Sequence, residues 1–338
     1  MMTTRQTDVA PALVTLEAIR AAAERLRGIT LRTPLVGFGP PADRRFLKAE
    51  SLQPIGAFKL RGAYVAIASL PPEALTRGVI TYSSGNHAQG VARAARLMGA
   101  PAVVVMPSDA PELKRERVAA DGAEIVVVGT ASDERQRVAE EIAARRGLAI
   151  IPPFDDDRII AGQGTVGLEI AEDVPDLAVV VVPVGGGGLA SGVATAIGEL
   201  RPDVRVIGVE PELAADARES LDRGEIVAWP AELVSRTIAD GTRTQALGAR
   251  TFAHLQARLD SIVTVSEAEI AAAVRLAAER SRLVVEPSGA LGIAAMAFHA
   301  AELGLGRLDG SVVAVVSGGN VDPERYRRYL EAPIPPEG

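Results

Sequence analysis

Cysteine is absent from this 338-residue chain, which excludes disulfides, thiolate nucleophiles and cysteine-ligated metal sites. Histidine occurs three times, as His87, His254 and His299, too scattered for the ligand spacing of a zinc site. Aromatic residues make up 3% of the chain, leaving little with which to stack bases. A net charge of −7 with no concentrated basic block also argues against a nucleic-acid partner. Long apolar runs are missing too: the longest are strand-sized, so no membrane partner is expected. The start, Met1 to Ala10, has no apolar signal-peptide core, and a cytoplasmic protein is the default expectation. The scarcest charged residue is lysine. Of 36 basic residues, only Lys48, Lys59 and Lys114 are lysines, and the other 33 are arginines.

That imbalance is informative. A guanidinium stays protonated and makes a poor nucleophile, whereas a lysine amine can lose its proton and condense with an aldehyde. Where arginine fills almost every cationic position, a surviving lysine is a candidate for amine chemistry. Lys59 is the strongest, because it lies in Ser51-Leu-Gln-Pro-Ile-Gly-Ala-Phe-Lys-Leu-Arg-Gly62. Set against this, a lone lysine is ordinarily one more solvated cation, and the motifs downstream must decide.

What remains is an ordinary globular balance, with 48% apolar and 23% charged residues, in a chain long enough for two domains. Short β-branched runs predict buried strands at Val79–Tyr82, Ala102–Met106, Ile125–Val128, Val179–Val182, Val204–Val209 and Val312–Val316. Alanine-rich amphipathic helices are expected at Ala88–Met98, Ser132–Arg146 and Leu189–Leu200. Ser266 and Glu269 have capping-box spacing ahead of another helix. Strands alternating with helices imply an α/β fold with mostly parallel sheets, whose function should lie at the carboxyl ends of the strands. Ile151-Pro-Pro-Phe-Asp-Asp-Asp157 breaks the pattern and is a candidate crossing between domains. The tail from Ala332 to Gly338 is expected to fray.

Val184-Gly-Gly-Gly-Gly-Leu189 follows a strand and opens a helix. Glycines let the backbone turn tightly, and a helix start aims free amides at an anion. The turn matches neither the dinucleotide fingerprint nor a P-loop, so a single phosphate on a small cofactor is the better fit. A glycine turn built only for close packing is the bland alternative. Thr81-Tyr-Ser-Ser-Gly-Asn-His-Ala-Gln-Gly90 follows another strand and offers Ser83, Ser84 and Asn86 for a carboxylate or a phenolic oxygen. Ser317-Gly-Gly-Asn320 ends the last strand with a hydroxyl at the sheet edge, where a simple turn is the other reading. A lysine, a phosphate cradle and polar strand-end loops together suit an aldehyde cofactor with one phosphate, pyridoxal 5'-phosphate.

On Gly56-Ala-Phe-Lys-Leu-Arg-Gly62, Ser83-Ser-Gly-Asn-His87, Gly185 to Gly188, Thr237-Ile-Ala-Asp-Gly241, Glu286-Pro-Ser-Gly289 and Ser317-Gly-Gly-Asn320, the chain resembles the fold type II pyridoxal-phosphate enzymes. The likeness is to the threonine/serine dehydratase and serine racemase group and runs from Leu16 to Tyr329. It implies two α/β domains with mostly parallel twisted sheets and the cofactor in the cleft between them. The large domain would comprise residues 1–77 and 153–338, and the small domain residues 78–152.

By the same resemblance Lys59 forms the Schiff base with the cofactor and later acts as base, and Phe58 packs on its ring. Asn86 bonds the ring oxygen, Ser317 faces the ring nitrogen, and Gly185, Gly186, Gly187, Gly188 and Leu189 hold the phosphate. Ser83, Ser84, Asn86 and His87 surround the substrate carboxylate. Ser84 either delivers or removes a proton opposite Lys59 or only binds that carboxylate. Arg243 and Arg135 are candidates for a second carboxylate, as on 3-hydroxyaspartate, with a solvated helix face as the plainer role of Arg135. Glu210 and Asp216, with the carbonyl of Ala214, match the family's divalent cation site. Oxygen ligands suit magnesium or another divalent cation, and an acidic helix start is the alternative.

The implied activity is an ammonia-lyase (dehydratase) acting on small β-hydroxy amino acids, L-threonine or L-serine. Serine racemase with side elimination and threo-3-hydroxyaspartate ammonia-lyase are the alternatives within the family. A non-catalytic pyridoxal-phosphate carrier or sensor is the alternative of another class, and cysteine-synthase-like substitution fits less well with the Ser83–His87 loop. The chain ends soon after Asn320, so no regulatory domain is expected. A homodimer is expected by resemblance alone.

Overall fold

The computed structural model describes residues 12–83, 85–108, 110, 112–129 and 132–337. Among these, ten strands form two sheets: β1 (Leu35–Gly37), β2 (Arg45–Ala49), β3 (Val79–Tyr82), β4 (Ala102–Pro107), β5 (Glu124–Val128), β6 (Ala149–Ile150), β7 (Leu177–Pro183), β8 (Arg205–Pro211), β9 (Ser261–Val265) and β10 (Ser311–Val316). The larger sheet has the order β1-β2-β10-β7-β8-β9 and the smaller β5-β4-β3-β6. Every pairing is parallel except β1 with β2. The α/β class and the six strands read from β-branched runs are present, and β1, β2, β6 and β9 are additional.

The middle of the larger sheet is buried on both faces, as continuous valine runs require. Val179, Val181, Ala314 and Val316 enter one apolar cluster, under the helices Glu267–Ser281 and Pro287–Phe298. Val180, Val182, Val313 and Val315 enter a second, under the helices Asp157–Asp173 and Gly188–Leu200. These last two helices touch at glycines: a Cβ at Gly192 would lie 2.4 Å from the Gly164 nitrogen. Ser266 caps its helix through the expected box with Glu269. No helix among the described residues is long and apolar enough to cross a membrane.

The strand order positions the site. β2, β10 and β7 are neighbours pointing the same way, so the segments leaving their carboxyl ends meet at one edge. Those segments carry Lys59, Ser317 and Gly185–Gly188. Ile151–Asp157 leads from β6 to the helix Asp157–Asp173, and each of its turns is used. The Pro153 carbonyl accepts from Lys59. Asp155 Oδ1 accepts from the Arg250 and Thr251 amides at 2.9 and 3.1 Å. Asp156 caps the Asp157–Asp173 helix. The tail differs from expectation, since Arg275 holds the Ala332 carbonyl at 2.9 Å and Arg280 pairs with Glu337.

Candidate active site

The helix Lys59–Ala68 begins at the lysine itself. Behind it, Arg61 is only 1% exposed and grips Glu50 through Nε and Nη2, both at 2.8 Å. The same guanidinium reaches Glu169 at 2.6 Å, and Glu169 in turn pairs with buried Lys48 at 2.6 Å. A buried ion pair costs desolvation on each ion, and satisfied hydrogen bonds offset it. This network fixes the first turn of the helix. The segment ahead of Lys59 is stitched to the β10 loop: Phe58 N donates to Ser317 O at 3.1 Å and Gly319 N to Gly56 O at 2.9 Å.

Lys59 Nζ therefore stands at a defined place, donating to Pro153 O at 2.9 Å and 5.1 Å from the centroid of the Phe58 ring. Burial, which disfavours the ammonium, lowers its pKa to about 8. Around the amine opens a cleft of ≈ 420 Å³ between the two sheets. Phe58, Lys59, Ser83, Asn86, His87, Gly185, Gly186, Gly187, Gly188, Leu189, Arg243 and Ser317 all line it. Ser84 lies outside the described residues.

Glycines 185–188 turn from β7 into the helix Gly188–Leu200, with Gly187 at φ +87°. On the side where side chains would project, protein already fills the space: a Cβ on Gly186 would fall 2.2 Å from the Phe154 ring. The first amides of a helix have no intrahelical acceptor, and here they border the cleft. The residues present fit a phosphate. Ser317, 6% exposed, donates weakly to Ser288 O at 3.3 Å, so its hydroxyl can turn toward another acceptor.

The Ser83–His87 loop contributes differently from expectation. The Ser83 hydroxyl accepts from Gly85 N at 3.3 Å. His87 Nε2 lies 3.1 Å from Ile151 O; a carbonyl only accepts, so Nε2 bears the proton. Burial and the neighbouring Lys59 charge lower this imidazole to about 3, so it offers no cation to a carboxylate. Asn86 donates to Glu286 Oε1 at 2.6 Å and accepts from Asn320 at 2.8 Å. Arg243 lines the cleft but turns Nε and Nη2 to the Thr237 carbonyl, the former at 2.9 Å. Arg135 and Gln136 also border the cleft, from the helix Ser132–Arg146.

Sequence reasoning left without a role Glu286, Lys114, Asp240 and Phe154, all of which border the cleft. Lys114 Nζ pairs with Asp240 at 2.7 Å, joining the helix Glu112–Ala120 to the larger-sheet side. Signals did exist, since Lys114 is one of three lysines and Asp240 and Glu286 lie inside quoted motifs.

Glu210 and Asp216 meet at the end of β8, away from the cleft lining. Glu210 accepts from the Ala217 and Arg218 amides at 3.1 and 2.8 Å. Both Asp216 oxygens are buried without a partner, and Ala214 is 1% exposed. Burial raises Asp216 to about 7; burial and then the Asp216 charge raise Glu210 well above the carboxylate range. The partnerless carboxylate fits a cation. Among the described residues, however, no three His, Asp or Glu side chains gather as a metal site, so the full ligand set is not assembled from side chains.

Residues 27–318 match the family model described as pyridoxal-phosphate dependent enzyme. The chain is 41% identical to L-threo-3-hydroxyaspartate ammonia-lyase of Saccharomyces cerevisiae, over 91% of this chain and 94% of that one. It is 39% identical to serine racemase of Schizosaccharomyces pombe, over 94% and 98%. The crystal structure of T.th. threonine deaminase superimposes with a TM-score of 0.83 at 44% identity, covering 91% of this chain and 99% of that one.

Proposed function

This chain belongs to the pyridoxal-phosphate dependent enzyme family, and from that membership and its cleft we propose an ammonia-lyase for small β-hydroxy amino acids, L-threonine and L-serine first. One observation carries the reading. Three adjacent parallel strands deliver a buried amine, a serine hydroxyl and a glycine turn to one cleft, opposite the Ser83–His87 loop. Gly185 to Leu189 would hold the cofactor phosphate, Lys59 its aldehyde, Asn86 its ring oxygen and Ser317 its ring nitrogen, with Phe58 against the ring. Pyridoxal phosphate, when bound, supplies a carbonyl carbon that condenses with amines and a conjugated ring that draws electrons from the α-carbon.

Lys59 does the proton work. Once the substrate amine replaces it, its own amine, lowered to about 8, is neutral often enough at physiological pH to take the α-proton. The α-proton and the β-hydroxyl leave together as one water, and hydrolysis then consumes one water as ammonia departs. The net products are 2-oxobutanoate from threonine or pyruvate from serine. A carboxylate at the Ser83–His87 loop would meet the Ser83 hydroxyl and the free amides at the start of the helix Asn86–Met98, which bind it without a formal cation, while the one N–H of neutral His87 stays on Ile151 O. Arg243 commits two nitrogens to Thr237 O, which favours monocarboxylates over 3-hydroxyaspartate. Residues 78–152 act as the smaller domain. A divalent cation at Glu210, Asp216 and the Ala214 carbonyl would neutralise the paired carboxylates in a structural role.

The test is release of 2-oxo acid by the cofactor-loaded protein from L-threonine, L-serine, D-serine and threo-3-hydroxyaspartate, with Lys59→Ala as control. Release from threonine or serine that vanishes in the control supports the lyase. Release from hydroxyaspartate above the others overturns the substrate assignment. No release from any of them overturns the lyase reading, and chiral analysis of serine then tests racemisation.

A further inference from the structure

Asn86 makes two side-chain bonds across the cleft, and together they fix which way its amide faces. The Ile55 carbonyl is an atom that can only accept. It receives Asn320 Nδ2 at 2.8 Å, and Asn320 Oδ1 receives Arg117, so the Asn320 amide has one permitted orientation. Its Nδ2 also donates to Asn86 at 2.8 Å, which requires the oxygen of Asn86 on that side. The Asn86 nitrogen is then left facing Glu286 Oε1, at 2.6 Å. A flipped Asn86 would set nitrogen against nitrogen at Asn320. Glu286 is held by its own surroundings, 2% exposed, with its amide donating to Gly318 O at 3.1 Å. Asp240, Lys114 and Arg117 are the charged groups around it.

The space was cleared for this array. A Cβ at Gly56 would fall 2.4 Å from Asn320 Oδ1, and one at Gly318 would fall 2.0 Å from Glu286 Oε1. The two glycines flank the segments that carry Lys59 and Ser317. An amide nitrogen has two protons to donate, and Glu286 takes one.

We propose that Asn320 and Glu286 are positioning residues, which orient Asn86 so that its second N–H is presented to the ring oxygen of the cofactor. The inference rests on the reading of the cleft as a pyridoxal-phosphate site. Asn86 and Arg117 belong to the smaller-sheet side and Asn320 and Glu286 to the larger, so the orientation is complete only when the two sides are together.

Asn320→Asp tests it with almost no change of shape, because it replaces the donor facing Ile55 O and Asn86 by an acceptor. The readouts are the equilibrium affinity of the apo-protein for pyridoxal phosphate and the ratio of the two long-wavelength absorption bands of the bound cofactor, which reports the ring oxygen's protonation. Binding up to about tenfold weaker and an altered band ratio are expected, on the scale of one buried hydrogen bond. Both changes should disappear when Asn320→Asp is made in an Asn86→Ala background. Glu286→Gln keeps an acceptor and should stay within about twofold of the parent affinity, whereas Glu286→Met should follow Asn320→Asp. This second pair stands if Asn320→Asp does not fold. Parent-like affinity and bands in Asn320→Asp and Glu286→Met overturn the inference, as do equal effects with and without Asn86. Failure of the parent protein to take up pyridoxal phosphate overturns the site reading instead.

Discussion

Burial acts on Lys59 in a way that can be measured before any turnover. With its pKa near 8 the amine is neutral in about a tenth of molecules at pH 7, against about 0.03% for an ordinary lysine. The rate at which the apo-protein takes up pyridoxal phosphate, followed by absorbance, should therefore rise with pH and level off around pH 8 to 9. A rate still climbing tenfold per unit at pH 10 would show an unshifted amine. Stability follows the same shift. The unfolded chain keeps the lysine proton to about pH 10.5 and the native protein releases it near 8, so apo-protein stability contributed by this group rises with pH across that window. Lys59→Met should thus raise the apo-protein's melting temperature at pH 7 and do so less at pH 10. His87 gives the companion case. Held near 3 by burial and by Lys59, it should show no titration by NMR between pH 5 and 8. Its stabilising contribution should be full above the unfolded pKa of about 6.5 and fall as pH drops below it, because there only the unfolded state binds the proton. An imidazole that titrates near 6.5 in the apo-protein would show His87 in contact with solvent.

Elements differ in how plainly they announce themselves. Strands β3, β4, β7, β8 and β10 were legible because burial on both faces leaves runs of valine and isoleucine, whereas β5, a half-exposed edge strand, showed only through its β-branched residues. β1 and β6 are three and two residues long, too short for any period. β2 hides because Arg45 and Lys48 interrupt it, and only the folded protein reveals Lys48 as fully buried, held between Glu169 and Thr33 O. β9 has the right residues, Ser261-Ile-Val-Thr-Val265, yet stands immediately before a capping box that draws the eye to the helix. The site residues on loops were legible for a related reason: a turn from strand to helix uses glycine, serine or asparagine at known places. Their partners were not, because Asn86 meets Glu286 200 positions away and Asn320 234 away. The glycine turn shows what such a loop tolerates. Gly186→Ala would place its methyl 2.2 Å from the Phe154 ring, so either the ring or the turn must move. Overpacking of this kind costs about 1–3 kcal/mol. The expected result is a lower melting temperature together with weaker affinity for inorganic phosphate in the apo-protein. Wild-type phosphate affinity in a folded Gly186→Ala variant would remove the turn from the anion site.

The molecule as a whole is two sheets meeting over one cleft; an apolar cluster joins the helix Lys59–Ala68 to the smaller-sheet side, and three polar contacts also cross between the sides. Lys114 to Asp240, Arg117 to Asn320 and Asn86 to Glu286 all run from the smaller-sheet side to the larger. Of these, the Lys114–Asp240 contact is the one built from two partly exposed groups that water can reach when it breaks. The third scarce lysine has its explanation here: its ammonium, 11% exposed, sits on an aspartate that is 32% exposed. Such a pair lies between surface ion pairs at about 0–1 kcal/mol and buried ones, whose breakage costs about 3–5 kcal/mol. Lys114→Met and Asp240→Asn should therefore each shift the cleft toward open. Hydrogen exchange in Glu112–Ala120 should quicken by about tenfold, and KM should rise more than kcat falls, because substrate binding must then supply the closure that the pair no longer favours. Reversing the pair, with Lys114→Asp and Asp240→Lys together, should recover part of the protection that either reversal alone removes. Recovery would identify the pair itself as the latch. Equal exchange in parent and single variants would instead leave closure to the array around Asn86, which Asn320→Asp tests independently.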